Sequence, residues 1–150
     1  MENVLTANKE LLFEESVNLT GFTEYGYSLN DLMEGNVPIP PEGITFDILF
    51  EGDLYGEKLN GSIKGVDYLT IRADGRFFLD LHATLITDDG VNIKIKETGI
   101  NKNGELLLDM SFHTNNEKYK WLNHEQIIGL GFADFNNGTA TIKAYTIKKQ

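Results

Sequence analysis

Apolar and polar residues alternate along most of this chain. In Arg76 to Thr87, Phe77, Leu79, Leu81, Ala83 and Leu85 share one face, while Phe78, Asp80, His82, Thr84 and Ile86 share the other. A period of two over that length predicts a β-strand. Val91, Ile93 and Ile95 repeat the pattern in Val91 to Gly99, and so do Leu106, Leu108, Met110 and Phe112 in Glu105 to Thr114. Further strand-like runs are Glu10 to Thr20, Gly43 to Leu54, Lys58 to Lys64, Val66 to Arg72, Ile127 to Phe135 and Thr139 to Lys148. Helical periodicity is weak. Ser28 to Met33 suits one helical turn with Ser28 or Asn30 as its cap, and Asn123 to Ile128 suits another.

Between the runs lie Asp74-Gly75, Asp89-Gly90, Asn103-Gly104 and Asn137-Gly138. These are hairpin signals, because both residues tolerate positive φ. Asn60-Gly61 suits a hairpin or a bulge inside a strand. Val66 to Thr114 therefore reads as a four-strand meander whose short connections force antiparallel neighbours. All three prolines fall in Val37 to Gly43, the clearest loop. A flat sheet of so many strands would leave open edges, which closure removes. The expectation is one all-β domain over residues 1–150: a single antiparallel up-and-down β-barrel of about eight to nine strands, lipocalin-like or allene-oxide-cyclase-like in shape.

Composition narrows the function. The chain has no cysteine, so disulfides and thiolate metal sites are excluded, which fits a cytoplasmic protein. No apolar run approaches the ~20 residues of a membrane-spanning helix. The net charge of −10 opposes binding to nucleic acid or an anionic membrane. Glycine-rich phosphate loops and HExxH motifs are absent from the sequence, and no cofactor is expected.

Asp80 and His82 lie two apart on one face of one strand. A carboxylate beside an imidazole can orient the ring and raise its basicity, the arrangement of a general base. A solvated outer face or a hydrogen-bonded structural pair is the plainer alternative. Asp67, next to Tyr68, is a candidate to assist, although Asp also favours turns. The run Tyr119-Lys120-Trp121-Leu122-Asn123-His124 concentrates aromatic and polar groups suited to a pocket mouth or to a barrel plug. Asp88 and Asp89 lack the further oxygen ligands of a calcium loop. Nothing in the spacing of His82, His113 and His124 requires a metal.

Several segments in this order resemble one family: Gly56 to Asp67, Arg72-Ala73-Asp74-Gly75, Leu79-Asp80, Thr87-Asp88-Asp89-Gly90 with Ile93, Tyr119 to Asn123, and Ala144-Tyr145. Together they are similar to the bacterial and fungal domain of unknown function 3237, from about Leu11 to Ile147. The resemblance implies a compact β-barrel and no settled activity. It implies recurring polar positions at Asp67, Asp80, Trp121 and Asn123. It also places Asp74, Asp88 and Asp89 there, though hairpin turns account for those three. The family often carries arginine where this chain has His82, which would make that position structural or anion-binding.

Three functions follow as expectations. The barrel lumen binds a small hydrophobic or phenolic molecule, held by Tyr68, Arg72, Tyr119, Trp121 and Asn123. Alternatively it is a cofactor-free isomerase, cyclase or lyase in which Asp80, His82 and Asp67 handle the proton. Or the barrel is structural, with an edge strand available for homo-oligomer formation.

Overall fold

A computed structural model describes residues 7–149. Eight antiparallel strands close into a barrel in sequence order: β1 (Ala7–Glu24), β2 (Ile44–Tyr55), β3 (Gly61–Ile71), β4 (Phe77–Thr87), β5 (Asn92–Lys102), β6 (Glu105–His113), β7 (Ile127–Asp134) and β8 (Thr139–Lys149). β8 pairs with β1 and leaves no edge. The meander expected from Val66 to Thr114 is β3 to β6. The runs Lys58 to Lys64 and Val66 to Arg72 are not two strands: β3 runs through Gly65 without a break, so the count is eight. Asn60 lies in the turn before β3, where its side chain accepts from the Gly56 N–H and donates to the Gly56 carbonyl.

Turn chemistry sets the hairpins. Asn103 (φ 53°) and Gly104 (φ 91°) are both left-handed, as a two-residue turn matching strand twist requires. One helix, α1 (Leu29–Met33), lies between β1 and β2, and the Ser28 side chain caps it by accepting from the Asp31 N–H. The second helical turn is a short 3-10 helix, η1 (Lys120–His124), between β6 and β7. It begins and ends earlier than the expected Asn123 to Ile128, because Ile127 and Ile128 already pair in β7.

The inward face carries the apolar set. In β4 it is Leu79, Leu81, Ala83 and Leu85 that face the core. At the η1 end the lumen is filled with apolar side chains, among them Phe13, Leu54, Ile63, Leu85, Ile95 and Phe112. Leu122 of η1 is 1% exposed and closes that end. Neighbouring strands approach closely at inward glycines. A Cβ at Gly99 would lie 2.0 Å from the Leu107 carbonyl oxygen, and one at Gly65 would lie 2.3 Å from that of His82. Side chains larger than hydrogen would push the neighbouring strands apart there. Gly65 stands two residues before Asp67, and Gly99 two residues after Glu97.

Candidate functional site

Three carboxyl groups point into the lumen: Glu15 on β1, Asp67 on β3 and Glu97 on β5. Each occupies a position where strand alternation calls for an apolar residue. Glu15 sits between Phe13 and Val17, Asp67 between Gly65 and Leu69, and Glu97 between Ile95 and Gly99. Registration brings two of them close, since Asp67 pairs with Leu81 and Leu81 pairs with Glu97. Asp67 and Glu97 therefore flank the same leucine from either side.

Burial of this kind is costly unless each group is paired or neutral. No partner reaches either Glu15 oxygen or Oε1 of Glu97. Removal from water consequently raises all three acids. Glu15 and Asp67 are each pushed up to about 7. Glu97 stands well above the usual carboxylate range, raised first by burial and then by the negative charges of Glu15 and Asp67. Asp67 alone has an opposing influence. The β3–β4 ladder is interrupted between Asp67–Leu81 and Thr70–Phe78. In that gap the Asp80 backbone N–H donates to Oδ1 of Asp67 at 3.1 Å, which favours the ionised carboxylate.

The lumen is not full. A cavity lies beside the carboxyl groups, admitting the centre of a water-sized sphere over about 60 Å3. That is room for about four waters, or for one end of a small organic molecule. Glu15, Asp67, Glu97 and Asn101 line it, against apolar walls that include Phe50 and Phe135. Small inward residues on the last two strands, Ala133 and Ala140, help to keep it open.

Of the residues singled out in the sequence, Asp67 lies in this lumen. Asp80 and His82 do form a pair, with His82 Nε2 3.1 Å from Asp80 Oδ1. Their side chains are 48% and 42% exposed on the outer face of β4. The lumen reading of that face is thus corrected, since alternation from the inward Leu79 and Leu81 turns both residues outward. Tyr68 packs edge-on to His82 outside the barrel, with centroids 5.4 Å apart. Arg72 is also exposed, with its guanidinium over the Phe78 ring. Tyr119, Trp121 and Asn123 sit at the η1 end, away from the carboxyl groups. Asn123 accepts from the Thr114 N–H and donates to the Thr114 carbonyl, fixing the loop after β6. The Tyr119 hydroxyl donates to Asp89 at 2.7 Å. Trp121 lies under Lys58.

The sequence reading missed Glu15 and Glu97. Their signal was available: an acid on the apolar side of an alternating strand. Among the described residues, no group of three or more histidines and carboxylates has the arrangement of a metal site.

Known proteins match both the sequence and the shape. The chain is 32% identical over 118 residues to the "Hydroalkoxylation enzyme phnH" of Penicillium herquei, covering 78% of this chain and 69% of that protein. A crystal structure of an enzyme from the same fungus superposes with a TM-score of 0.69 at 26% identity, covering 95% of each chain. A β-barrel-like protein from Acinetobacter baumannii superposes with a TM-score of 0.81 at 23% identity, over 99% of this chain and 100% of that one. Residues 36–147 match the sequence profile described as "Protein of unknown function (DUF3237)". The chain belongs to that family.

Proposed function

We propose that the lumen is a cofactor-free active site, in which the buried carboxyl groups transfer protons on a small, largely apolar molecule bearing a hydroxyl group. The observation that carries this reading is the set of three buried acids beside a cavity, two of them with oxygens that no partner reaches. A passive apolar carrier gains nothing from unpaired buried carboxyls, which destabilise the fold. An acid–base catalyst needs them, because a group titrating near neutrality is both a competent base and a competent acid at working pH.

Asp67 is the base of this proposal, since the Asp80 N–H favours its charged form. Glu97 is the acid, because burial and the negative charges of Glu15 and Asp67 favour its protonated form. Glu15 sets the charge balance between them. The activity for which the Penicillium relative is named supports this division of labour. Adding a hydroxyl across a carbon–carbon double bond requires both roles. The O–H proton passes to the ionised carboxylate as the C–O bond forms. The π bond opens, and its other carbon takes a proton from the carboxylic acid. The product is an isomer of the substrate, and the two carboxyls have exchanged protonation states. The apolar walls bind the carbon skeleton and keep bulk water from competing. Asp80 and His82 have no part in this scheme.

An ortho-alkenylphenol in D2O tests it. The wild type should form the cyclic ether carrying one new deuterium on carbon. Asp67→Asn and Glu97→Gln should each slow the reaction by about 100-fold or more, the usual worth of a positioned acid or base. A wild type no faster than the double variant would refute the proposal.

A further inference from the structure

The outside of the barrel carries a row of apolar side chains running across neighbouring strands. Ile100 on β5 pairs with Leu107 on β6, and Leu107 pairs with Leu130 on β7. Leu107 and Leu130 are 49% and 39% exposed, and Phe132, the next outward residue of β7, is 64% exposed. The residues lie along a shallow groove on the barrel wall. Single apolar residues on a surface need no explanation, but a contiguous set on adjacent strands does.

Charges frame this row. Leu130 pairs with Lys143 of β8, and Lys143 pairs with Glu14 of β1. Lys143 Nζ lies 3.7 Å from a Glu14 carboxylate oxygen. On the other side, Phe132 pairs with Glu105, which pairs with Lys102. On the outward rim of the groove Glu14 and Glu105 stand beside Lys143 and Lys102, in a chain whose net charge is −10. It is a locally balanced zone on an acidic molecule.

We infer that this face is where two copies of the chain meet. A strongly acidic protein repels itself over most of its surface, and a zone of balanced charge around an apolar centre lifts that repulsion locally. Two-fold symmetry brings the same patch of each copy together. It lets each apolar row cover its image, while a rim carrying both signs can set lysine against glutamate. A partner bearing one sign of charge would meet as much repulsion as attraction there.

Sedimentation equilibrium over a rising concentration series measures this directly. The wild type should reach twice the chain mass of 16.9 kDa. Phe132→Glu and Leu130→Glu, both on exposed sites, should return the mass to that of one chain while keeping the wild-type circular dichroism and Tm at low concentration. Lys143→Glu should weaken the dimer, and Lys143→Glu with Glu14→Lys should restore it. A wild type that stays a single chain at every concentration would overturn the inference. So would a dimer that persists in Phe132→Glu and Leu130→Glu, since another surface would then hold it.

Discussion

Two regions of this barrel contain carboxyl groups in opposite circumstances. At the η1 end, Asp89 accepts from the Thr87 hydroxyl at 2.5 Å, the Tyr119 hydroxyl at 2.7 Å and the Lys118 ammonium at 2.9 Å. These bonds, the hydroxyl of Thr87 foremost, hold its carboxyl well below the usual range. In the lumen, Glu15 and Glu97 leave oxygens without partners, and burial drives their carboxyls upward. One acid fastens a hairpin to the plug of the barrel, and the others are held at a cost to stability. Bracing and the proposed chemistry thus fall in different parts of one lumen, and substitutions can separate them.

Leu122→Ala at the plugged end should have the largest effect. Leu122 is essentially inaccessible, so its removal leaves a cavity worth about 3 kcal/mol, on the order of 10 °C in Tm for a chain of this length. Thermal unfolding followed by circular dichroism measures it. A loss of less than a degree or two would mean that η1 does not brace the barrel.

Glu15→Leu should act in the opposite direction. The folded-state carboxyls of Glu15 and Asp67 are raised to about 7, so between their ordinary values and about 7 the folded chain binds more protons than the unfolded one. Their favourable contribution is complete below pH 4 and is lost as pH rises through 7. Tm should therefore fall from pH 5 to pH 8. Asp89 has the reverse sign: its lowered carboxyl contributes above its ordinary value and is lost on acidification below it. Glu15→Leu removes one lumen acid. It should stabilise by roughly 2 kcal/mol at pH 8 and by much less at pH 5, flattening the profile. An unchanged slope would show that the lumen carboxyls do not titrate as their burial requires.

Much of this fold was legible in the residue order. Alternation located seven of the strands directly, and the Asp-Gly and Asn-Gly turns fixed their antiparallel connections. Lys58 to Lys64 and Val66 to Arg72 read as separate runs, although Gly65 between them continues β3 and permits close strand approach. The site was less legible. Asp67 is a candidate from its place beside Tyr68 and not from its burial. Glu15 and Glu97 were passed over because an acid in a strand ordinarily faces water. Only the inward direction of Phe13, Val17, Ile95 and their neighbours makes these two acids unusual. Period-two alternation defines two faces and cannot by itself say which is inside. Asp80 and His82 drew notice for chemistry that their face does not allow them to use in the lumen.

The smallest effect should come from that outer pair. Asp80 and His82 make one contact at 3.1 Å with both side chains more than two-fifths exposed, and exposed pairs contribute about 0.5 kcal/mol or less. Asp80→Ala keeps the backbone N–H that Asp67 accepts from, so the lumen carboxyl should keep that donor. Both Asp80→Ala and His82→Ala should leave Tm within about 2 °C of the wild type. Both should also keep the slope of stability with pH and the rate of ether formation. Proline at position 80 is the sharper variant, because it removes the N–H that the side-chain change spares. Its effect on stability would be compared at pH 5 and pH 8: an ionised Asp67 loses its donor only at the higher pH, so the added loss should appear there. A His82→Ala variant with wild-type stability but no ether formation would move the chemistry to the outer wall, and the lumen acids would then need another explanation.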